Sequence, residues 1–444
     1  MPQQDTTSVL PILAPFMDKT VEVLVETKDR LYAMFSKGTD GQINSLGARV
    51  SVLTAMNPNY GNNQIDGGGF REPGSFGYKQ FIIQFVGDNA SLGLTGAAQQ
   101  NIQSNSAFGL DVTKMLAYTV EYLKRQRDID FSHGNGSGQR ALVASVTSSA
   151  NTGSVVVMDA QEGTRFLDEN GIYIAINPLS PATPHGITTG HTLLSKASDN
   201  ITATFLGATA TGTAVTTGDI FVNKGDSQGN NSYNRAIYGL EYFFGNSGDY
   251  FGLSKDSERR IQGMIENGFN NNVSRSLLLR GELRYRYFWA DTDDDDLSAM
   301  LDVVSIAQYG VYELLGYALT QYMYDPAKGE LPKFDGKIKI VSDGSRQMIR
   351  AANVRPTNWF RIAPKYIRRY QFEPTALWTR DGSRWRSVYG AGVAASAGMP
   401  ANAGQIMDLT SCVVQGKEQM FNGNPRRGVF YQNLGTNGVF QGVN

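Results

Sequence analysis

The chain of 444 residues is long enough for two or three domains with a sizeable core. Its 40 lysines and arginines offset 41 aspartates and glutamates, which excludes a global electrostatic attraction to nucleic acid or to an anionic membrane. Its single cysteine, Cys412, excludes an intramolecular disulfide and favours folding in a reducing, intracellular compartment.

A glycine-rich stretch, residues 57–77, connects two segments with strand character, Ala48–Met56 and Tyr78–Val86. This pattern predicts a long β-hairpin. One face of its returning strand carries Phe81, Ile83 and Phe85. Because a two-stranded ribbon alone is marginal in water, we expect this face to be covered by another part of the chain or by another molecule.

A long amphipathic helix is predicted next, over residues 111–131. Its apolar residues follow the helical repeat, at Val112, Met115, Leu116, Val120 and Leu123. The glycine-rich segment His133–Gln139 ends the helix. From Arg140 to Lys224 the pattern changes to five or six short β-branched runs separated by turn residues, which predicts a small β-barrel or sandwich inserted into the chain.

A second long helix, of about seven turns, is predicted within residues 290–323. Its apolar stretch contains Gln308 and Glu313 and falls short of a membrane span. The acidic run before it, Asp291 with Asp293–Asp296, partly matches a calcium loop, but Asp296 stands where that loop requires glycine. The simpler interpretation is that these carboxylates cap the helix, so we expect no metal site.

No catalytic constellation is visible in the sequence. The three histidines, His133, His185 and His191, do not form a metal-binding motif, and Cys412 lies in an apolar, strand-like run. We therefore expect neither an enzyme nor a bound cofactor.

The span Gly344–Ser387 is locally basic, with ten lysines and arginines. Its aromatic residues Trp359, Tyr366 and Tyr370 alternate with arginines such as Arg361, which is compatible with nucleic-acid binding. A salt-bridged interface is the alternative.

The order of these elements resembles that of the major capsid proteins of tailed bacteriophages, which share the fold named after phage Hong Kong 97. An N-terminal arm, a glycine-tipped hairpin, a long helix and an α+β region ending in strands follow one another in both. The resemblance implies an α+β fold with an extended loop, a spine helix, an axial domain and an inserted β-barrel or sandwich. The segments it implies are an arm over 1–47, the extended loop over 48–100, the spine helix region over 101–139, the β insertion over 140–232, the axial domain over 233–370, and a return to the peripheral domain with closing strands over 371–444.

The function implied by the resemblance is self-assembly, through pentamers and hexamers, into the icosahedral head shell of a phage with double-stranded DNA. Implied partners are many copies of the chain, scaffold, portal and decoration proteins, and packaged DNA that is not read by sequence. The resemblance implies no membrane partner. The implied location is the virion, with assembly in the host cytoplasm.

In such shells the extended loop reaches over a neighbouring subunit, so we expect the face of Phe81, Ile83 and Phe85 to be covered by that neighbour. At the hairpin tip, Arg71 and Glu72 are then expected to pair with charged residues on a neighbour's spine helix. The candidates there are Glu121, Lys124 and Arg127.

An alternative from another class is a secreted or virion-associated protein that acts on or binds carbohydrate. It would use the β insertion as a lectin-like module and the Asp291–Asp296 run for calcium.

Overall fold

The computed structural model of the chain confirms the α+β class. It describes residues 31–39, 42–44, 47–55, 77–95, 106–150, 153–168, 171–181, 184–185, 190–206, 215–225, 233–258, 261–288, 300–320, 337–340, 344–377, 386–389 and 406–436. All structural statements below concern these residues.

Strands outnumber helices in the described residues. The strands are β1 Ser36–Lys37, β2 Gln42–Asn44, β3 Gly47–Ala55, β4 Gly77–Gln84, β5 Val86–Thr95, β6 Gln139–Ala150, β7 Gly153–Met158, β8 Ile172–Ile176, β9 Pro184–His185, β10 His191–Lys196, β11 Thr202–Leu206, β12 Ile220–Asn223, β13 Asp249–Tyr250, β14 Leu253–Ser254, β15 Met264–Asn267, β16 Leu301–Ser305, β17 Lys337–Ile340, β18 Gly344–Ala351, β19 Trp359–Ile362, β20 Ile367–Leu377, β21 Arg386–Tyr389, β22 Ile406–Asn422 and β23 Gly428–Gln432. The helices are α1 Ser106–His133, α2 Leu240–Phe244, α3 Arg275–Phe288 and α4 Ile306–Thr320, with short 3-10 turns at Tyr32–Met34 and Pro364–Tyr366.

The predicted hairpin is confirmed by the antiparallel pair β3 and β4, which runs from Gly47 opposite Gln84 to Ala55 opposite Gly77. The strand β2 adds a short third strand beside Gly47–Arg49. We call these three strands the ribbon. The chain then leaves the ribbon, because β5 pairs antiparallel with β22 in a separate sheet that also contains β1, β20 and β21.

The first predicted helix is confirmed as α1, 28 residues long. Its side chains Val120 and Leu123 are buried, as the helical spacing predicted. The helix ends at His133, where the amide of Gly134 donates to the carbonyl of Asp130. A Cβ atom at Gly134 would lie 2.1 Å from that carbonyl oxygen, so only glycine fits this close approach.

The predicted β insertion forms a small barrel. Its strands follow the order β10-β11-β7-β6-β12-β8, and β8 pairs back with β10, so six antiparallel strands close into a ring. Large apolar side chains fill the interior, where the rings of Phe205 and Phe221 stack with centroids 4.6 Å apart. Closure leaves these six strands without an open sheet edge.

The prediction of one continuous helix within residues 290–323 was wrong. Residues Leu301–Ser305 form the strand β16, in the middle of a six-stranded sheet ordered β15-β23-β19-β16-β18-β17, and only then does α4 begin. All five residues of β16 are buried, between β18 and β19. A short, fully buried strand has no polar face, so its spacing cannot be distinguished from that of a helix. The strand β17 follows α4 along the chain.

Candidate assembly surfaces

The inner face of the ribbon packs on the body of the same chain. Phe81 and Ile83 are completely buried, and the ring of Phe81 lies 5.7 Å from that of Tyr250 and 5.2 Å from that of Phe421. The amide of Ile82 also donates to the carbonyl of Phe251 at 3.0 Å. The expectation that a neighbouring subunit covers this face is therefore wrong for Phe81 and Ile83, because no surface of either side chain remains to be covered.

The third predicted residue of that face, Phe85, is only partly buried. Its ring stacks on that of Phe372, with centroids 6.2 Å apart. The sequence did not reveal these intramolecular partners, because Tyr250, Phe372 and Phe421 are more distant in the chain than any local pattern reaches.

The outer face of the ribbon is exposed. Along β4, Tyr78, Gln80, Ile82 and Gln84 alternate with the inner residues, and Tyr78 and Ile82 are 68% and 50% exposed. On the inner side, Lys79 forms an ion pair with Glu258. The ribbon is thus anchored on one face and presents apolar and amide side chains to solvent on the other.

Two of the predicted contact residues on α1 are unavailable to a neighbour. Arg127 is buried, and its guanidinium lies 2.7 Å from Asp88 and 2.5 Å from Glu418, so it joins α1 to β5 and β22. Burial alone would lower the pKa of Arg127, but the carboxylates of Glu418 and Asp88 raise it above its usual value. Lys124 is also buried, at 6% exposure.

Glu121 lies on the exposed face of α1, together with Tyr118, Tyr122 and Arg125. Of these two tyrosines, Tyr118 is the more exposed, at 67%. The predicted tip residues Arg71 and Glu72 lie outside the described residues. Their pairing with Glu121 stays a prediction.

A cluster of ionisable groups joins the end of α1 to the barrel and to the six-stranded sheet. The carboxylate of Glu162, in the barrel, accepts from His133 Nε2 at 2.8 Å, Arg355 Nε at 2.7 Å and Gln139 Nε2 at 2.8 Å. Arg355 also lies 3.4 Å from Glu241 in α2. Burial would raise the pKa of Glu162, but the charges of His133 and Arg355 and these hydrogen bonds lower it to about 2.

A polar cleft of about 600 Å³ lies between α1, the beginning of β5 and the barrel. Arg140 lines it and forms two contacts with Asp130, at 2.6 and 3.2 Å. Tyr122, Lys224 and Arg235 also line the cleft. The barrel is therefore attached to α1 through charged and polar groups around this cleft rather than through a continuous apolar core.

The basic span does not present Trp359, Arg361 and Tyr370 to a nucleic acid, because all three side chains are buried. Trp359 and Arg361 are buried, and Arg361 Nε lies 3.0 Å from the carboxylate of Asp302. The indole of Trp359 donates to the same carboxylate at 2.9 Å. These residues form an ion pair inside the sheet, and Tyr370 is buried as well.

No group of three or more His, Cys, Asp or Glu side chains in the described residues is placed to hold a metal ion. The acidic run Asp291–Asp296 lies outside the described residues. Among the described helices, none is both long enough and apolar enough to cross a membrane.

In structure the chain is similar to virus and particle shells. The cyanophage A-1(L) capsid asymmetric unit matches 92% of this chain and 96% of its own, with a TM-score of 0.47 and 9% identity. The capsid of an empty GTA particle matches 91% and 96%, with a TM-score of 0.40 and 6% identity. A structure of Mycobacterium phage Patience matches 98% and 89%, with a TM-score of 0.39 and 8% identity.

Capsid shells are thus among the structures that the chain resembles. No protein-family profile matches the chain. No curated protein matches it in sequence either.

Proposed function

We propose that the chain is the structural subunit of a phage head shell, in which pentamers and hexamers of this chain close into an icosahedron around double-stranded DNA. The observation that carries the proposal is the ribbon. Its inner face is fixed to the body by Phe81 and Ile83, whereas its outer face exposes Tyr78 and Ile82. Exposed apolar side chains on such an element are typical of an interaction surface.

The anchored base gives the ribbon a defined direction, which a repeated contact between copies requires. A contact between two different surfaces of identical subunits closes into rings when the rotation is five- or six-fold. Each contact is modest, but the sum over many copies stabilises the shell. The neighbour covers the outer face of the ribbon in this mechanism, not the inner face that the sequence suggested.

The proposed role is structural and needs no catalytic group and no cofactor. Its partners are further copies of the chain, together with scaffold, portal and decoration proteins, and DNA held by confinement rather than by sequence. The proposed location is the virion, with assembly in the host cytoplasm. The division into arm, extended loop, spine, insertion, axial and closing segments is part of the same proposal.

Electron microscopy of the purified chain, alone and with its scaffold protein, tests the function directly. We expect rings of five or six subunits, or closed shells. A chain that stays monomeric at high concentration with scaffold present would contradict the proposal.

A further inference from the structure

The helix α3 has a second apolar face that the sheet does not cover. Its inner face packs on β23, where a Cβ atom at Gly281 would lie 2.4 Å from the hydroxyl of Tyr431. On the opposite side, Leu279, Leu283 and Tyr287 are 39%, 57% and 84% exposed. Residues four apart lie above one another on a helix, so these three form one stripe. We call this stripe the α3 seam.

Arginines flank the α3 seam on both sides. At 100° per residue, Arg280 and Arg284 lie along one side of it, and Arg275 and Arg286 lie along the other. The exposed residues of α3 include no carboxylate within the range that the structure describes. In a chain with a net charge of −1, this face is a local concentration of positive charge.

Buried carboxylates hold these arginines in place. Glu266, 2% exposed, lies 3.0 Å from Arg280 Nε and also contacts Arg284. Glu282, 1% exposed, lies 3.3 Å from Arg286 Nη2. The side chains of Arg280 and Arg284 remain half exposed, so they are oriented before any partner arrives. Such preorganisation lowers the entropy that binding costs.

The chemistry of this face distinguishes between three occupants. Duplex nucleic acid could place its phosphates against the arginines. Phosphates beside the apolar seam would not cover its exposed apolar surface. A second α3 from another copy would bring arginines against arginines, and like charges at an interface are unfavourable. An amphipathic helix with an apolar stripe and carboxylates beside it would satisfy both the seam and its flanks.

We propose that the α3 seam and its arginines bind an amphipathic helix of a partner protein whose apolar stripe is flanked by Asp or Glu. The inference goes beyond the shell function and does not depend on it, because it concerns one face of a single subunit. Tyr and Arg, which accompany the leucines at this face, are among the residue types enriched at the sites that dominate binding energy.

A pair of synthetic helices tests the inference. Both are dye-labelled peptides of about 20 residues, which is long enough to form a helix. They share the same leucine stripe, but the residues beside the stripe are Glu in one peptide and Lys in the other. Fluorescence anisotropy measures their binding to the full-length chain. We expect the Glu peptide to bind, the Lys peptide to bind at least about tenfold more weakly, and added salt to weaken the Glu peptide.

Two substitutions locate the site. Leu283→Ser removes the centre of the seam and is expected to weaken binding of the Glu peptide by about tenfold or more. Leu206→Ser is the matched control, because Leu206 is 48% exposed on the barrel, and it should leave binding unchanged. Arg280→Gln tests the flank and should reduce the salt dependence.

Three results would overturn the inference. Equal affinity for the Glu and Lys peptides would show that the arginines do not select the partner by charge. An unchanged affinity in the Leu283→Ser variant would place binding elsewhere. Displacement of the Glu peptide by duplex DNA, or loss of self-association in Leu283→Ser alone, would identify nucleic acid or a second copy as the occupant. Because binding is measured on subunits, failure here leaves the shell proposal untouched.

Discussion

Arg127 is a charged residue of α1 that stabilises the interior of the fold through ion pairs. It is 3% exposed and bridges Asp88 and Glu418, the latter 1% exposed. Removing one partner of a buried ion pair leaves an uncompensated charge and costs roughly 3–5 kcal/mol. We expect Arg127→Met to lower the free energy of unfolding of unassembled subunits by about this amount, measured by urea denaturation.

Arg125 provides the control on the same helix. Its side chain is 54% exposed and lies 3.4 Å from Asp168, so Arg125→Met should cost only about 0–1 kcal/mol. Equal losses in the two variants would show that burial does not decide the contribution of these arginines.

Glu162 makes the junction between the barrel and α1 sensitive to acid. Its pKa is about 2 in the folded chain and 4.5 without the surrounding charges, so the unfolded chain takes up the proton first. The stability that Glu162 contributes is therefore complete above about pH 4.5 and is lost as the pH falls towards 2. Thermal unfolding of the native chain and of Glu162→Gln should show a difference that shrinks across this range. A difference that stays constant with pH would refute the assignment.

The ribbon is an element with one buried and one exposed face. The double variant Tyr78→Ser, Ile82→Ser changes only exposed side chains. We therefore expect the free energy of unfolding of the subunit to change by about 0.5 kcal/mol or less, while the yield of shells falls. Phe81→Ala is the contrasting variant, because it removes a buried ring and should destabilise the subunit by about 3–5 kcal/mol before any assembly. Shell yield by electron microscopy and unfolding by denaturant separate the two effects. Normal shells from the double variant would exclude the outer face as a contact.

The elements that the sequence predicts well are those with a regular period. Alternation in Tyr78–Val86 and helical spacing in residues 111–131 are local, and both elements are present as β4 and α1. Leu301–Ser305 was assigned to a helix because burial on all sides removes the period.

Contacts between distant segments were harder to predict than elements. Phe81 is buried against Tyr250 and Phe421, and Arg127 pairs with Glu418. These partners are far apart in the sequence, so the local spacing of residues does not predict them. Neither the helix α3 nor its exposed seam was predicted, because apolar residues on two faces obscure the single stripe that marks an amphipathic helix.

At the scale of the whole molecule, the barrel has a core of its own. Its interior residues pack on one another, and its first and last strands are neighbours, with Gln139 opposite Val222. We expect a fragment of residues 138–225 to fold alone and to unfold cooperatively on heating, as monitored by circular dichroism. A fragment with no cooperative transition would show that the barrel needs the groups of α1 and Arg355 around it.

The long strand β22 has a mechanical consequence. One edge of its 17 residues pairs with β5, and the other edge pairs with β21 and then β20. A pull along this strand would load those hydrogen bonds side by side, so they would have to slip together rather than open one after another. A wall built from such subunits would resist stretching along the direction of β22 more than across it.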